Sequence, residues 1–363
     1  MQNRGAAESA FNKDYEKEPL LMPEKIITFA VPCYNSAEYM DHCIETLLSA
    51  EAPDVEIIIV DDGSTDTTPQ KADEWAAKHP DTIRVIHQEN RGHGGACMAG
   101  LREARGVYFK TVDSDDWVDE KALATFIKKV RTCGDGAVDL IITNYVIHNE
   151  WENKKVSVNY RSAFKKHEGR LVGWDSMGRQ PIWHSFTMHA ITFRRQLLLD
   201  IGLTLPDHMY YVDTVYTYVP LPYVSALMYL DLDLYCYFVG RVDQSTNVQN
   251  IVRRIDEHIA VTEIIIDAYE LDRDVKSKRL RKLMRNQLTV LMGACTAYSL
   301  LSSDPEAPMK RMDVWNHLRN NDYNSYRIIR RTYLYCGSNY PGNIGNRLFV
   351  AGFHVFRKIF KFT

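Results

Sequence analysis

The chain has 363 residues, 45% of them hydrophobic and 25% charged, and a formal net charge of −3. This is ordinary globular composition, long enough for one α/β domain with a smaller appendage, and the near-neutral balance excludes nucleic acid as the expected partner. The seven cysteines, at 33, 43, 97, 133, 236, 295 and 336, form no CxxC pair and no Cys/His cluster. That argues against a zinc site or a disulfide framework and for a reducing, cytoplasmic setting.

Residues 1–22 lack the apolar stretch of a signal peptide and read as a mobile tail. No run of about 18 apolar residues occurs, so no spanning helix is expected. Residues 25–31 (KIITFAV) form an apolar β-rich run that ends at Pro32. Apolar residues at helical spacing follow over 36–50, then the β-branched run 55–60 (VEIIIV), a buried parallel strand. A helix over 67–78, a strand over 83–88, a glycine-rich turn with a helix to about 105, and a strand over 107–112 complete the series. The βαβαβαβ order predicts an open, mostly parallel, Rossmann-like sheet flanked by helices. In such sheets ligands bind beyond the carboxyl ends of the strands, where the loops 32–36, 61–66 and 113–117 converge. Residues 151–240 are rich in aromatics, and from about 250 the pattern is helical, over 251–271 and 276–301.

Three carboxylates, Asp113, Asp115 and Asp116, crowd the end of the strand 107–112. Like charges this close repel unless a cation neutralises them. Oxygen ligands suit Mg²⁺ or Mn²⁺, and such an ion shared with a diphosphate stabilises that diphosphate as a leaving group. The competing reading is a solvated turn in which Asp116 caps the next helix. At the neighbouring strand ends stand Val31-Pro32-Cys33-Tyr34-Asn35 and Val60-Asp61-Asp62-Gly63-Ser64. An aromatic ring and a carboxylate there can stack on a base and accept its N–H, although the same residues are also turn formers.

The ordered motifs PCYN, VDDGSTD, NRGHGGACMAGL and DSDDW resemble those of family 2 glycosyltransferases with the GT-A fold, over roughly residues 24–245. The resemblance implies an inverting transfer of a hexose from a nucleotide-diphosphate sugar, most often UDP-linked, in cell-surface polysaccharide or glycolipid assembly. It implies that Pro32, Tyr34 and Asp62 hold the base, with Asn35 and Ser114 beside them. It also implies that Asp113 approaches the ribose or the metal, that Asp115 ligates the metal, and that Asn90, Arg91 and the glycine turn with Gly94 lie near the donor. The segment 205–214 resembles the family's Glu-Asp region, whose acid is the general base. Here the pair is Val212-Asp213, so only Asp213 matches, with Asp207 as the fallback. One carboxylate to take the acceptor proton and one metal to carry the leaving-group charge make a complete mechanism. The bland alternative has Asp213 capping a helix over 214–219. Arg241, in a segment similar to the family's Arg-containing stretch, either clamps the diphosphate or makes a surface ion pair.

The turn Gly92-His93-Gly94-Gly95 could pass for a dinucleotide-binding loop, but Gly100 breaks the GxGxxG spacing. A nucleotidyltransferase would need a basic glycine-rich loop after the first strand, where PCYNSAEY stands. A sugar-nucleotide-binding scaffold without catalysis stays open because of the missing acid at 212. Trp183, His184 and His189 are candidates for an acceptor pocket, since sugars pack on aromatic faces; most such histidines, like His208, are core or surface residues. Residues 307–363 carry about ten Lys/Arg against two Asp/Glu. Over 346–363 a basic strip underlies a broad aromatic face, the pattern of an interfacial membrane helix or of a helix docked on protein. The expected division is therefore a tail (1–22), a GT-A domain (23–245) and a helical C-terminal region (246–363). The expected partners are an NDP-sugar, a carbohydrate or lipid-linked acceptor and a membrane surface.

Overall fold

The computed structural model describes residues 25–133, 136–182, 184–240, 248–332, 345 and 347–352. The expected tail, Trp183, Arg241, Cys336 and most of the stretch 346–363 lie outside the described residues.

The first half alternates strands and helices: β1 (Lys25–Cys33), α1 (Met40–Leu48), β2 (Val55–Asp61), α2 (Thr68–Lys78), β3 (Ile83–His87), α3 (Gly92–Glu103) and β4 (Gly106–Thr111). β1 and β2 are buried on both faces, as continuous β-branched runs require in a sheet covered by helices. β1 pairs in parallel with β2 as far as Cys33↔Asp61, but with β4 only as far as Ala30↔Thr111. Pro32 therefore falls within the strand, beyond the point where its β4 side needs a donor, so a residue without an N–H is tolerated there. Gly106 starts β4 so close to β1 that a Cβ would meet Thr28 N at 2.4 Å.

After β4 come β5 (Trp117–Val118), α4 (Glu120–Thr132), β6 (Leu140–Asn149), β7 (Lys154–Val158), β8 (Leu171–Val172), β9 (Ile191–Arg194) and β10 (Leu227–Val239). The ten strands form one sheet in the order β3-β2-β1-β4-β9-β6-β10-β5, with β7 beside β6 and β8 beside β10. β3, β2, β1 and β4 are parallel, β9 runs antiparallel between β4 and β6, and β6 pairs in parallel with β10. The fold is α/β with a parallel half that carries the first motifs.

The helical region begins with Val248–Arg253 and Ile255–Ala268, separated at Arg254 where one continuous helix was expected. Lys278–Leu301, Ala307–Asn321 and Tyr323–Arg331 follow. Its buried face joins one apolar core that runs from Ile27 to Ile329 and Phe349. The helix Ile255–Ala268 packs against Asp213–Tyr218, the short helix that follows the expected base. No helix among the described residues is long and apolar enough to cross a membrane.

Candidate active site

At the end of β1, Tyr34 is 54% exposed, and Asn35 takes a left-handed backbone (φ 51) that turns the chain. Asn35 is a brace: its N–H donates to Ser64 Oγ (3.0 Å) and its Oδ1 accepts from Thr65 N–H (2.8 Å). The Ser36 hydroxyl lies 2.7 Å from that of Ser114, locking the β1 loop to the β4 loop. The first helix accordingly starts at Met40 and not at Ser36, whose side chain is spent on this bridge.

The two acids that end β2 have separate tasks. Asp61 is a structural acceptor for Ser64 N–H (3.1 Å) and lies 2.9 Å from His87 Nδ1. Asp62, 2% exposed, accepts from Gln88 Nε2 (2.6 Å) and Arg91 N–H (2.8 Å), both on Oδ1. Asn90 Nδ2 donates to the Asp62 carbonyl at 2.9 Å. The arrangement fixes one oxygen of a buried carboxylate beside an exposed tyrosine. A base stacked on Tyr34 and donating to Oδ2 of Asp62 fits it.

α3 begins at Gly92 (φ +75), and its first turn lies under the segment 205–212. A Cβ at Gly94 would meet Pro206 O at 2.6 Å, and one at Gly92 would meet His208 N at 3.0 Å, so both glycines serve this close approach. Arg91 faces Asp207, with Nε donating to Oδ2 at 2.9 Å. His93 Nε2 stands 2.8 Å from Asp113 Oδ1, and Cys97 Sγ lies 3.7 Å from His93 Nδ1. Burial opposes the charge on His93, but Cys97 and Asp113 more than offset it and hold the ring well above its usual pKa; Asp113, despite its own burial, is held below the carboxylate range by His93. Residue 93 was one letter of a glycine turn in the sequence reading; only its place opposite β4 reveals it.

The three acids after β4 also diverge. Asp119, not Asp116, caps the next helix, accepting from Ala122 N–H at 2.9 Å. Asp116 is 1% exposed and accepts from Tyr235 OH (2.6 Å) and Phe238 N–H (2.7 Å). The capping reading of Asp116 is thereby overturned: β10 claims its carboxylate. Burial, then the charges of Asp115 and Asp113, push Asp116 well above the carboxylate range, a penalty a bound cation would reverse.

Asp113, Asp116 and His189 bring one ligand atom each to within 4.8 Å of one another. Asp115, half-buried, is not among these three. His189 sits where the sequence suggested an acceptor pocket, ringed by Tyr145, Tyr235 and Tyr237 at centroid distances of 4.5 to 5.3 Å. Its Nδ1 is buried without a hydrogen-bond partner, and burial pulls the ring down to about 4, leaving the neutral imidazole that ligates metals. Two carboxylates and one neutral imidazole with an orphaned nitrogen fit a divalent ion, and the mixed donor set suits Mn²⁺ better than Mg²⁺. Behind His189, the fully buried Lys110 donates to the carbonyls of His189 (2.7 Å) and Ile191 (3.1 Å), holding that turn in place. Burial brings the Lys110 ammonium down to about 7.

Asp213 is the first residue of its helix, whose N-cap is Val212 without a side-chain bond, and its carboxylate accepts from backbone N–H groups of that first turn. Burial raises Asp213, and the charge of His93 opposes that while Asp113 adds to it. His184 stacks on Tyr160 (4.8 Å) and lies 2.9 Å from Gln180 Oε1, away from this cluster of contacts; His208 is exposed.

The chain is similar to known proteins in sequence and in fold. Residues 28–191 match the model of glycosyl transferase family 2. The chain is 33% identical over 184 residues to a putative glycosyltransferase, EpsH, of Bacillus subtilis, covering 47% of this chain and 51% of the relative. It is 37% identical over 129 residues to glycosyltransferase GlyG of Streptococcus pneumoniae, covering 35% of this chain and 41% of that protein. The chain thus spans about half or less of the length of these curated relatives. Among solved structures, S. aureus TarS 1–349 in complex with UDP-GlcNAc superposes with a TM-score of 0.51 at 18% identity, covering 85% of this chain and 91% of that one. Mannosyltransferase PcManGT from Pyrobaculum calidifontis, in complex with GDP-Man and Mn²⁺, superposes with a TM-score of 0.50 at 17% identity, covering 93% and 81%. These two likenesses concern the fold, which is the GT-A type. With its ordered strand-end motifs on that fold, the segment 28–191 matches the family 2 glycosyltransferase model.

Proposed function

We propose that the chain transfers a hexose from a nucleotide-diphosphate sugar, UDP-linked, to an acceptor hydroxyl with inversion, as a step in surface polysaccharide or glycolipid assembly. One observation carries this reading: Asp113, Asp116 and His189 bring a ligand atom each to within 4.8 Å of one another at the carboxyl end of β4, whose loop is tied to the β1 loop through Ser36 and Ser114. A carboxylate shifted upward, at the first turn of a helix beside the metal ligands, is suited to take a proton as the acceptor oxygen attacks the anomeric carbon. Tyr34 and Asp62 hold the base, with Pro32, Asn35, Asn90 and Ser114 shaping the pocket; Arg241, outside the described residues, is assigned to the diphosphate on the sequence resemblance alone. Asp113, Asp116 and His189 would hold the divalent ion, in place of an Asp113–Asp115 pair. When bound, such an ion would supply positive charge for a departing diphosphate. TarS complexes with UDP-GlcNAc and a PcManGT complex with GDP-Man and Mn²⁺ support a nucleotide-sugar donor and a metal. Relatives described as chondroitin synthase and as a succinoglycan biosynthesis protein support a carbohydrate acceptor.

Calorimetric titration of UDP, GDP and a panel of their hexoses, with and without Mn²⁺, tests the reading. Metal-dependent UDP binding, with slow donor hydrolysis that Asp213→Asn removes, is expected. Binding without any hydrolysis would instead identify a non-catalytic receptor. We further propose that the basic, aromatic tail 346–363 rests on the cytoplasmic face of a membrane and that the acceptor is lipid-linked. Deletion of 343–363 should release the protein from anionic liposomes; unchanged binding would refute it.

A further inference from the structure

The segment 205–213 reaches the base at its last residue, and we infer that Arg91 is a positioning residue that ties this segment to the nucleobase pocket, so that donor binding orders the base. The inference rests on the donor-pocket and base assignments above.

The link is a short chain of bonds. Asp62 Oδ1 accepts from Arg91 N–H at 2.8 Å, and one peptide further on Arg91 O accepts from His208 N–H at 2.7 Å. The Arg91 side chain closes a second contact to the same segment, its Nε and a terminal nitrogen lying 2.9 and 2.8 Å from Asp207 Oδ2. Arg91 is thus bonded through its own backbone to the carboxylate that receives the base and to the segment that ends at Asp213. The glycines beside it remove the Cβ atoms that would push the segment away, since substitution at Gly92 or Gly94 meets the backbone of His208 or Pro206.

The segment needs such a hold. His208 (φ 50) and Tyr211 (φ 65) both take the left-handed backbone, which disfavours residues with a Cβ and persists only where surrounding contacts impose it. On the far side the helical region supplies the other grip: Glu257 Oε2 accepts from Tyr210 N–H at 2.8 Å, and the Arg254 guanidinium lies 3.5 Å from the centre of the Tyr210 ring. The segment is therefore clamped between the donor pocket and the C-terminal helices. Of the two grips, only the Arg91 side leads to Asp62. The Arg91 and Asp207 side chains are 43% and 39% exposed, so their ion pair contributes little to global stability and can be removed without unfolding the protein.

The test is amide hydrogen exchange of the full-length protein with Mn²⁺, with and without saturating UDP. In the wild type, UDP should slow exchange across 205–212 at least threefold. In Asp207→Asn this protection should fall below half of the wild-type value while UDP affinity stays within twofold. The charge exchange Arg91→Asp with Asp207→Arg should restore it. Full protection in Asp207→Asn, or none regained by the exchanged pair, would overturn the inference. So would a loss of UDP affinity beyond tenfold in Arg91→Ala, which would make Arg91 a donor ligand. Failure of wild type to bind UDP or GDP sinks the donor-pocket reading before any variant is made. Undiminished hydrolysis in Asp213→Asn sinks the base assignment alone.

Discussion

The half of the sheet proposed to hold the nucleotide and the half proposed to hold the acceptor chemistry are built differently. In the first, β1, β2 and β4 run side by side and each ends in its own short motif. In the second, β9 is inserted antiparallel between β4 and β6, and residues from β10, from the turn before β9 and from the segment 205–213 meet only through long-range packing. A parallel half distributes one binding function over consecutive loops. The mixed half assembles a charged cluster from distant places, and its groups act on one another: Asp116 is raised by burial and then by Asp115 and Asp113, and Asp213 by burial with Asp113 adding to it.

This contrast can be broken experimentally. The largest effect should come from Asp213→Asn, which removes the base and should lower turnover by about 10²–10⁴-fold while UDP affinity is unchanged. Equal losses in both would mean that Asp213 belongs to the nucleotide half. Asp116→Asn or His189→Ala should weaken Mn²⁺ binding, read by calorimetry, by at least about tenfold, a loss that even outer partners of a metal ligand cause. A larger loss in Asp115→Ala than in either would return the metal to the pair expected from sequence. Tyr34→Ala should cost the stacking of one base, about 1–3 kcal/mol, seen as weaker UDP binding with turnover at saturation preserved. Two glycines sharpen the comparison further. Gly106→Ala drives a Cβ into the β1 backbone and should lower stability by about 2 kcal/mol or more, whereas Gly94→Ala drives one into the Pro206 carbonyl and should shift the segment that ends at Asp213, lowering turnover. The smallest effect is in pH. Asp213 acts unprotonated, so turnover should rise with pH through its pKa, and because that pKa is raised, the midpoint of the acid limb should lie above the ordinary Asp value of about 3.9. A midpoint at or below that value would exclude Asp213 as the base.

The parallel half was legible because its signals are local. Continuous β-branched runs announce buried strands, and Pro32, Asp62 and Asp113 stand where those runs stop. Even there, the division of labour between Asp61 and Asp62 depends on His87 and Gln88, which β3 brings alongside. Among Asp113, Asp115 and Asp116, spacing favoured the first two. The structure groups the first and third, since Tyr235 and Phe238, more than 110 residues away, receive Asp116. In sequence His93 is one letter of a glycine turn and His189 a candidate for an acceptor pocket; only the cluster around Asp113 brings them to the acids. The break at Arg254 was equally hidden, as its guanidinium is engaged with Tyr210 in another part of the fold.

The pairing of Tyr235 with the strand-end acids has a consequence for how the protein comes into being. Its hydroxyl accepts the Asp113 N–H at 3.1 Å and donates to Asp116 at 2.6 Å, across 122 and 119 residues of chain. As the polypeptide leaves the ribosome, the nucleotide motifs emerge early and their strands can pair, yet the acidic pocket stays unfinished until β10 arrives. A nascent chain halted before residue 235 would carry nearly complete strand-end loops whose carboxylates have no phenol to order them, so the acidic cluster proposed to hold the metal is finished only when the sheet is almost closed.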